Sequence, residues 1–345
     1  MITTAYRFFL PILTAAITLC TLAGWNGRAE AAEVNWKMHL TFVNGRPEAK
    51  FAEKFAEYVK DETKGRVSVE VFTGGSLGVK DPDTLRWLPP GNAVHVTWLV
   101  PEYMSRDAPE YANILPVGAV DDVRKLEKLR PVLWSIEDET YSKWGIKMLS
   151  VMNLPLYEMH VVCKQPAGSL ADLRNKKMRV FAKFHVDALA TLGIAAQVIP
   201  QNELYLAMQT GVVDCAYYPL AYATTISLQE VAPYASYIGT NIPAPGNLIV
   251  SKKAWDALPA DLQKAVQTAA DRVEKETWEY LISGQYDKEG IDKYVKAGGR
   301  LLPPLSKADQ DKIVETVHRV WKDVNAATGP VAVKNYERVK AALGN

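Results

Sequence analysis

Arg179 is the residue in this sequence whose chemistry is most specific. It lies between Met178 and Val180, in a short apolar run that has strand character. A guanidinium is planar and always charged, and it matches a carboxylate with two parallel hydrogen bonds. An arginine in such a run is also typical of an exposed strand position or a structural ion pair. The residue alone therefore leaves an anion site and a structural role open.

Two classes of catalytic motif are missing from the sequence. It contains no nucleotide phosphate loop and no zinc motif. The glycine-rich stretch from Gly74 to Gly78 lacks the lysine that a phosphate loop needs. Glu158 and His160 stand two residues apart without a third candidate ligand, so we expect no metal. We expect no cofactor either. A hydrolase or lyase of small acids remains the alternative function.

The first elements that must position these side chains form a β–α–β unit. Residues 35–43 alternate as a strand does, and residues 67–72 do so again. Between them Phe51, Phe55 and Val59 recur at helical spacing, and this helix is predicted to end at Gly65. Such a unit pairs its two strands in parallel through a crossover helix.

Strands and helices continue to alternate along the chain, which predicts an α/β fold. After residue 259 an amphipathic pattern continues past Gly284 and Gly290, and we expect one long helix there. Further strands are predicted over residues 93–100, 146–151, 158–163, 177–181, 196–199 and 213–218. Further helices are predicted over residues 126–141, 185–192 and 203–209.

Length, composition and net charge limit the classes of protein to which this chain could belong. The chain has 345 residues, of which 48% are hydrophobic and 23% charged, and its formal net charge is +1. That length is enough for two domains. Nucleic-acid binding needs a basic face, and no basic stripe is present, so we expect no nucleic-acid partner.

The N-terminus has the pattern of an export signal. Arg7 precedes an apolar run over residues 8–25, and Ala29-Glu30-Ala31 supplies a small-x-small cleavage site. We interpret residues 1–31 as a cleaved signal peptide and the mature protein as periplasmic. An uncleaved membrane anchor is the alternative, since ~20 apolar residues can span a bilayer.

Two cysteines remain after that cleavage, Cys163 and Cys215. An oxidising compartment would allow them to pair. Isolated cysteines in apolar runs are more often buried thiols, and this is the interpretation that the sequence favours.

Several segments together resemble one family, the solute-binding proteins of tripartite ATP-independent periplasmic (TRAP) transporters of the DctP type. The resemblance is clearest from Ser169 to Val180 and from Asn202 to Asp214, and it covers nearly all of the mature chain in order. Its other segments are Phe51 to Val59, Thr63 to Val67, Val69 to Phe72, Gly75 to Gly78, Leu115-Pro116 and Ser251 to Pro259.

The resemblance implies a two-lobed Venus-flytrap fold with a long helix that braces both lobes. Lobe I would hold residues 33–156 and 245–284, and lobe II would hold residues 157–244 and 285–345. It further implies a small organic acid as ligand and membrane permease subunits as partners. We expect a monomer. A binding protein that serves a sensor instead of a permease is a further alternative.

The resemblance also assigns the ligand carboxylate to Arg179. Relatives that bind sugar acids have a second arginine, and its place falls on Met159 here. Around the anchor the chain favours apolar and aromatic side chains, although each of these could also be a core residue. The candidate ligand-binding residues besides Arg179 are Phe42, Trp98, Tyr157, Met159, Phe181, Tyr217, Tyr218 and Asn241. Aromatic walls favour hydrophobic bodies by area burial and stacking, so we expect an aromatic or otherwise hydrophobic monocarboxylate.

Overall fold

Two β-sheets carry the fold. The computed structural model describes Met1, residues 32–242 and residues 245–344, so the predicted signal peptide lies, apart from Met1, outside the described residues. The strands in chain order are β1 (Val34–His39), β2 (Val67–Phe72), β3 (Val96–Leu99), β4 (Ile146–Asn153), β5 (Glu158–Cys163), β6 (Lys177–Val180), β7 (Ala195–Val198), β8 (Cys215–Tyr218), β9 (Tyr234–Asn241), β10 (Pro245–Ser251) and β11 (Arg300–Leu301).

Helices cover both sheets, and three short 3-10 segments lie at 81–83, 101–104 and 220–226. The α-helices in chain order are α1 (Pro47–Glu62), α2 (Thr84–Trp87), α3 (Pro109–Ala112), α4 (Lys125–Lys143), α5 (Leu170–Arg174), α6 (Lys183–Thr191), α7 (Gln201–Gln209), α8 (Leu228–Val231), α9 (Lys252–Asp256), α10 (Ala260–Ser283), α11 (Gln285–Lys296), α12 (Lys307–Thr328) and α13 (Pro330–Leu343).

The first sheet has the order β2-β1-β3-β10-β4. Its β1 strand pairs in parallel with both β2 and β3, which confirms the predicted β–α–β start. Phe51, Phe55 and Val59 form one buried stripe on α1, because residues four apart share a helix face. This stripe packs in the same core as Trp36 and Met38 of β1.

The second sheet has the order β11-β9-β5-β8-β6-β7. The chain passes from the first sheet to the second between β4 and β5, and it returns between β9 and β10. Glu158 pairs with Asn241 beside these crossings. The strand ends that flank the two crossings therefore lie together, at the place where two halves of the molecule meet.

The predicted single long helix is two helices. Gly284 adopts φ +61°, a left-handed conformation that ends α10 and precedes α11. Helix α10 packs on α1 and β4 of the first half, and α11 packs on the segment 220–226 of the second. Gly290 allows this close approach, because a Cβ there would collide with the backbone of Ala221. The prediction that the glycines interrupt the helix without ending it was wrong at Gly284.

Cys163 and Cys215 form a disulfide, so the preference for two buried thiols was wrong. They are direct partners in the antiparallel pair of β5 and β8, a register that periodicity in either strand alone does not reveal. The bond fixes β8 next to β5 within the second sheet.

The last helix, α13, returns to the first half, whereas α12 packs mainly on β9 and α6 of the second. Helix α13 packs on α3 and α4, although its residues were predicted to belong to the second lobe. Trp321 is buried against Tyr336 of the same chain, and its indole donates to the Asn113 carbonyl. None of the helices that the structure describes is long and apolar enough to cross a membrane.

Candidate functional site

A cavity of about 60 Å³ lies between the two halves. Its walls come from both halves, mainly from segments that follow the carboxyl ends of β1, β3, β6 and β8. In α/β folds this edge of the sheets is where ligands bind. The apolar lining residues are Phe42, Val100, Leu154, Leu156, Met159, Phe181, Pro219 and Ile242. The polar ones are Glu102, Tyr103, Arg179, Gln201, Tyr218 and Tyr222.

Arg179 is held in the cavity wall by strand β6. Side chains alternate across a strand, so Arg179 points away from Met178 and Val180, which lie in the core. Its Nε donates to the Ile199 carbonyl at 2.8 Å, which fixes the orientation of the guanidinium. The sequence of β6 thus places a cation at the cavity with one nitrogen anchored.

The rest of this guanidinium has no protein partner among the described residues. No side chain or carbonyl there accepts from its two terminal nitrogens, and no carboxylate forms an ion pair with it. Arg179 is only 3% exposed, and burial lowers the pKa of its guanidinium. The ring of Tyr218 lies 5.7 Å from its central carbon and offers a weak cation–π contact. A buried cation of this kind is costly until an anion pairs with it.

The neighbouring His185 does not compete for that anion. It lies in van der Waals range of Phe181 and Tyr217, with ring centroids 4.6 and 5.2 Å away. Burial and the Arg179 charge lower the pKa of His185 to about 3, so its ring is neutral. Arg179 is the cation of this wall.

A second buried arginine, Arg46, lies behind the cavity wall and contacts its residues Gln201, Tyr218 and Tyr222. It precedes α1 in the first half, and its guanidinium donates to Tyr218 Oη at 3.2 Å and to Thr225 Oγ1 at 3.1 Å. It stacks 4.0 Å from the ring centre of Tyr222, whose hydroxyl donates to the buried Glu48. Arg46 therefore links the first half to residues of the second half.

The electrostatics of Arg46 follow from these partners. Burial alone would lower the pKa of its guanidinium. The attraction of Tyr218, Glu48 and Tyr222 outweighs burial and raises it. The Gln201 amide oxygen completes the set of acceptors.

Glu102 is the carboxyl group of the cavity. It follows β3 and is 5% exposed. Its Oε1 is buried without a hydrogen-bond partner among the described residues. Burial raises the pKa of Glu102 to about 7, because a charged carboxylate loses its hydration there.

Five of the nine predicted ligand-binding residues line the cavity. Arg179 and Met159 lie in its wall together with Phe42, Phe181 and Tyr218. Met159 stands where sugar-acid relatives were expected to have an arginine, so the wall is apolar at that point.

The other four predicted residues lie elsewhere. Tyr217 neighbours Tyr218 on β8, and since successive side chains point to opposite faces, only one of them can face the cavity. Tyr217 donates to or accepts from Thr240 at 2.9 Å on the far face. Trp98 is buried behind Phe42, with ring centroids 5.9 Å apart, so it supports the wall without lining it.

Asn241 and Tyr157 are engaged near the crossings. Both polar atoms of Asn241 are used, since its amide donates to the Asp121 carbonyl and its oxygen accepts from Tyr237. The Tyr157 hydroxyl points to the Val120 carbonyl at 3.4 Å. The polar atoms of both side chains thus meet protein partners, and neither residue lines the cavity.

Sequence reasoning missed Arg46, Glu102 and Tyr222. Arg46 lies in what the sequence presents as a simple turn before Pro47, and nothing local distinguishes it. Glu102 had a usable signal, because it comes three residues after the carboxyl end of a buried strand. Tyr222 lies in a 3-10 segment that no periodicity marks.

Comparison with known proteins gives consistent matches. The family model of the bacterial extracellular solute-binding proteins, family 7 (DctP), matches residues 40–327. The monocarboxylate 2-oxoacid-binding periplasmic protein of Nostoc sp. is 25% identical over 352 residues, covering 95% of this chain and 89% of that protein.

Two solved structures share the fold. A Bordetella pertussis extracytoplasmic solute receptor that binds pyroglutamic acid superposes with a TM-score of 0.81 at 19% identity, covering 90% of this chain and 99% of the receptor. A TRAP periplasmic solute-binding protein from Sulfitobacter sp. with bound alpha-D-taluronate gives a TM-score of 0.78 at 25% identity, covering 91% and 98% of the two chains. The expected two-lobed solute-receptor fold is thereby confirmed, and these relatives are binding proteins and not enzymes.

Proposed function

The chain belongs to the bacterial extracellular solute-binding proteins of family 7, the DctP-type solute-binding proteins of TRAP transport, and we propose that it captures a small monocarboxylate with a hydrophobic body. The ligand carboxylate pairs with Arg179, and the remainder of the ligand lies against the apolar wall. The mature protein acts in the periplasm after removal of residues 1–31, and it delivers its ligand to the membrane subunits of a TRAP permease.

The observation that carries this proposal is the state of Arg179. Its guanidinium is buried, anchored through Nε, and without a protein acceptor at its terminal nitrogens among the described residues. Two parallel donors at the edge of a cavity match the two oxygens of one carboxylate. Pairing with a ligand removes the cost of burying this charge.

The size and chemistry of the cavity narrow the ligand. One water molecule needs about 10–15 Å³ of such space, so about 60 Å³ accommodates roughly four to six water-sized groups. Eight of its fourteen lining residues are apolar. A hydroxylated sugar acid would leave several hydroxyls unpaired there, at a cost of ~1–3 kcal/mol each. The named relatives bind 2-oxo monocarboxylates, pyroglutamic acid and a uronate, so small acids are the common class.

The test is calorimetric titration of residues 32–345 with pentanoate, 4-methylpentanoate, phenylacetate and galacturonate. We expect at least one hydrophobic monocarboxylate to bind and galacturonate not to bind. In Arg179→Met the affinity for that acid should fall at least about 30-fold, since truncating one partner of a buried charge pair costs ~2–5 kcal/mol.

Arg319→Met is the matched control, because Arg319 is an exposed arginine on α12. It should bind as the wild type does. Preferential binding of galacturonate would overturn the hydrophobic-body part of the proposal. Equal affinity of the wild type and Arg179→Met would overturn the carboxylate anchor.

A further inference from the structure

Arg179 and Glu102 are two polar groups of the cavity that do not satisfy each other. Arg179 offers donors, and Glu102 has a buried oxygen without a partner among the described residues. No ion pair joins them, although both line the same small space. Tyr218 and Tyr222 of the wall are engaged within the protein, since Tyr218 accepts from Arg46 and Tyr222 donates to Glu48.

We propose that Glu102 is a specificity residue that donates a hydrogen bond, as a neutral carboxylic acid, to a second, uncharged acceptor oxygen on the ligand. This inference rests on the proposed function, because it takes the ligand carboxylate on Arg179 as given. The ligand class is thereby narrowed to oxo acids, monocarboxylates that also have a carbonyl group.

The neutral form follows from the surroundings of Glu102. Burial in the wall penalises the carboxylate, and its pKa is raised to about 7. A ligand anion in the same cavity adds a like charge, which favours the neutral form further. A neutral carboxyl has one O–H donor, and a carbonyl oxygen accepts from it without offering a proton in return.

The titration of Glu102 has to be distinguished from that of other titratable groups near it. Asp81 lies on the 3-10 turn packed against that of Glu102, and it is hydrogen-bonded to His39 at 3.1 Å. On the opposite side, His185 is neutral because its pKa is lowered to about 3. The tyrosines that interact with the Glu102 charge have pKa values raised mainly by burial, so they stay protonated at neutral pH; they are Tyr103, Tyr111 and Tyr217.

Glu137 is the other buried carboxyl group of this region. Burial raises its pKa to about 8, and it interacts with Tyr111 behind the cavity wall. Its titration overlaps with that of Glu102, so pH dependence of the wild type alone would not assign the group. Glu102→Gln removes one titration and leaves the other, while the Gln amide retains a donor.

The experiment is calorimetric titration of residues 32–345 with pentanoate, 2-oxopentanoate and 4-oxopentanoate from pH 6 to pH 8.5. In the wild type at pH 6 we expect one oxo acid to bind at least tenfold more tightly than pentanoate. Above pH 7 this advantage should fall about tenfold per pH unit, because only protonated Glu102 donates. In Glu102→Gln the advantage should persist and be independent of pH.

Proton uptake provides a second readout that a merely structural role would not change. Titrations at pH 8 in two buffers of different ionisation enthalpy should give net proton uptake on binding of the oxo acid in the wild type. The same measurement should give none in Glu102→Gln. Proton uptake that persists in this variant would assign the titration to another group and overturn the inference.

The outcomes distinguish this inference from the proposed function. If pentanoate binds through Arg179 and neither oxo acid has an advantage, the role of Glu102 is overturned while the carboxylate anchor stands. Preference for 2-hydroxypentanoate, with affinity that rises with pH, would also overturn it, since an ionised Glu102 would then accept. If none of these acids binds the wild type, the proposed function fails and this inference fails with it.

Discussion

Arg46 and Arg179 are both buried beside one cavity, and they differ in almost every interaction. Arg46 is fully buried and donates to Tyr218 and Thr225. Arg179 has a single protein acceptor among the described residues, the Ile199 carbonyl. The ring of Tyr218 lies near Arg179, while its hydroxyl is used by Arg46. Their pKa shifts are opposite, raised for Arg46 and lowered for Arg179.

This difference separates a structural cation from a binding cation. Desolvation acts on both arginines, so burial alone does not distinguish them. What distinguishes them is whether the protein itself supplies the compensating groups. Arg46 is compensated across the boundary between the halves, whereas Arg179 is left for an anion from outside.

The largest effect is expected from Arg46→Met. This change removes charge-assisted hydrogen bonds from the first half to Tyr218 and Thr225 of the second, and it removes the stacking on Tyr222. We expect the contact between the halves to weaken by about 2–4 kcal/mol. Small-angle X-ray scattering of ligand-free protein should show an increased radius of gyration.

Arg179→Met is the matched variant for this measurement. It should leave the ligand-free radius of gyration unchanged, because Arg179 and its acceptor Ile199 lie in the same half. If Arg46→Met is as compact as the wild type, Arg46 does not hold the halves together. The assignment of Arg46 as a structural cation would then be wrong.

The sequence predicted the scaffold of this site better than its contents. Strands β2 and β5 have the predicted limits, since alternation or a continuous apolar run between turns determines them locally. Arg179 could be singled out because its segment resembles a known family. Tyr217 and Tyr218 could not be separated, since the facing of a strand depends on its register with its neighbours.

Arg46 and Glu102 are site residues that could not be identified from the sequence. Arg46 finds its partners Tyr218 and Thr225 more than 170 positions away in sequence, so no local pattern indicates the contact. The significance of Glu102 depends on the burial of one oxygen, which is a property of the folded wall. The disulfide was missed for the same reason, because it depends on cross-strand register.

The buried carboxyl groups Glu48 and Glu102 differ in the same way as the two arginines. We expect from this difference a pH effect on stability of intermediate size. Glu48 has Arg46 and Tyr222 nearby, whereas Glu102 has no cation bound to it. Between its ordinary pKa of 4.5 and its folded value of about 7, Glu102 holds a proton that the unfolded chain has lost. Stability therefore falls as pH rises through this window, and the full loss remains above pH 7.

Glu102→Gln should remove this loss. The free energy of unfolding of Glu102→Gln minus that of the wild type should be larger at pH 8 than at pH 5, by roughly 1–3 kcal/mol. Urea unfolding of ligand-free protein at both pH values measures the difference. Contributions of Asp287 and Glu137, whose pKa values burial also raises, cancel because both proteins retain them. A difference that does not change with pH would show that Glu102 is ionised at no cost.

The smallest effect is expected in the stability of ligand-free Arg179→Met, where we expect a small gain instead of the usual loss. Removing a buried side chain usually destabilises a protein. Here the guanidinium is a desolvated charge without an anion, and Met is a flexible apolar residue that fills the same space. We expect the free energy of unfolding at pH 7 to rise by ~1 kcal/mol, since the cost of the buried charge exceeds that of the lost bond to Ile199. Denaturant unfolding without ligand measures it, and a clear loss of stability would mean that the protein compensates Arg179 as fully as it compensates Arg46.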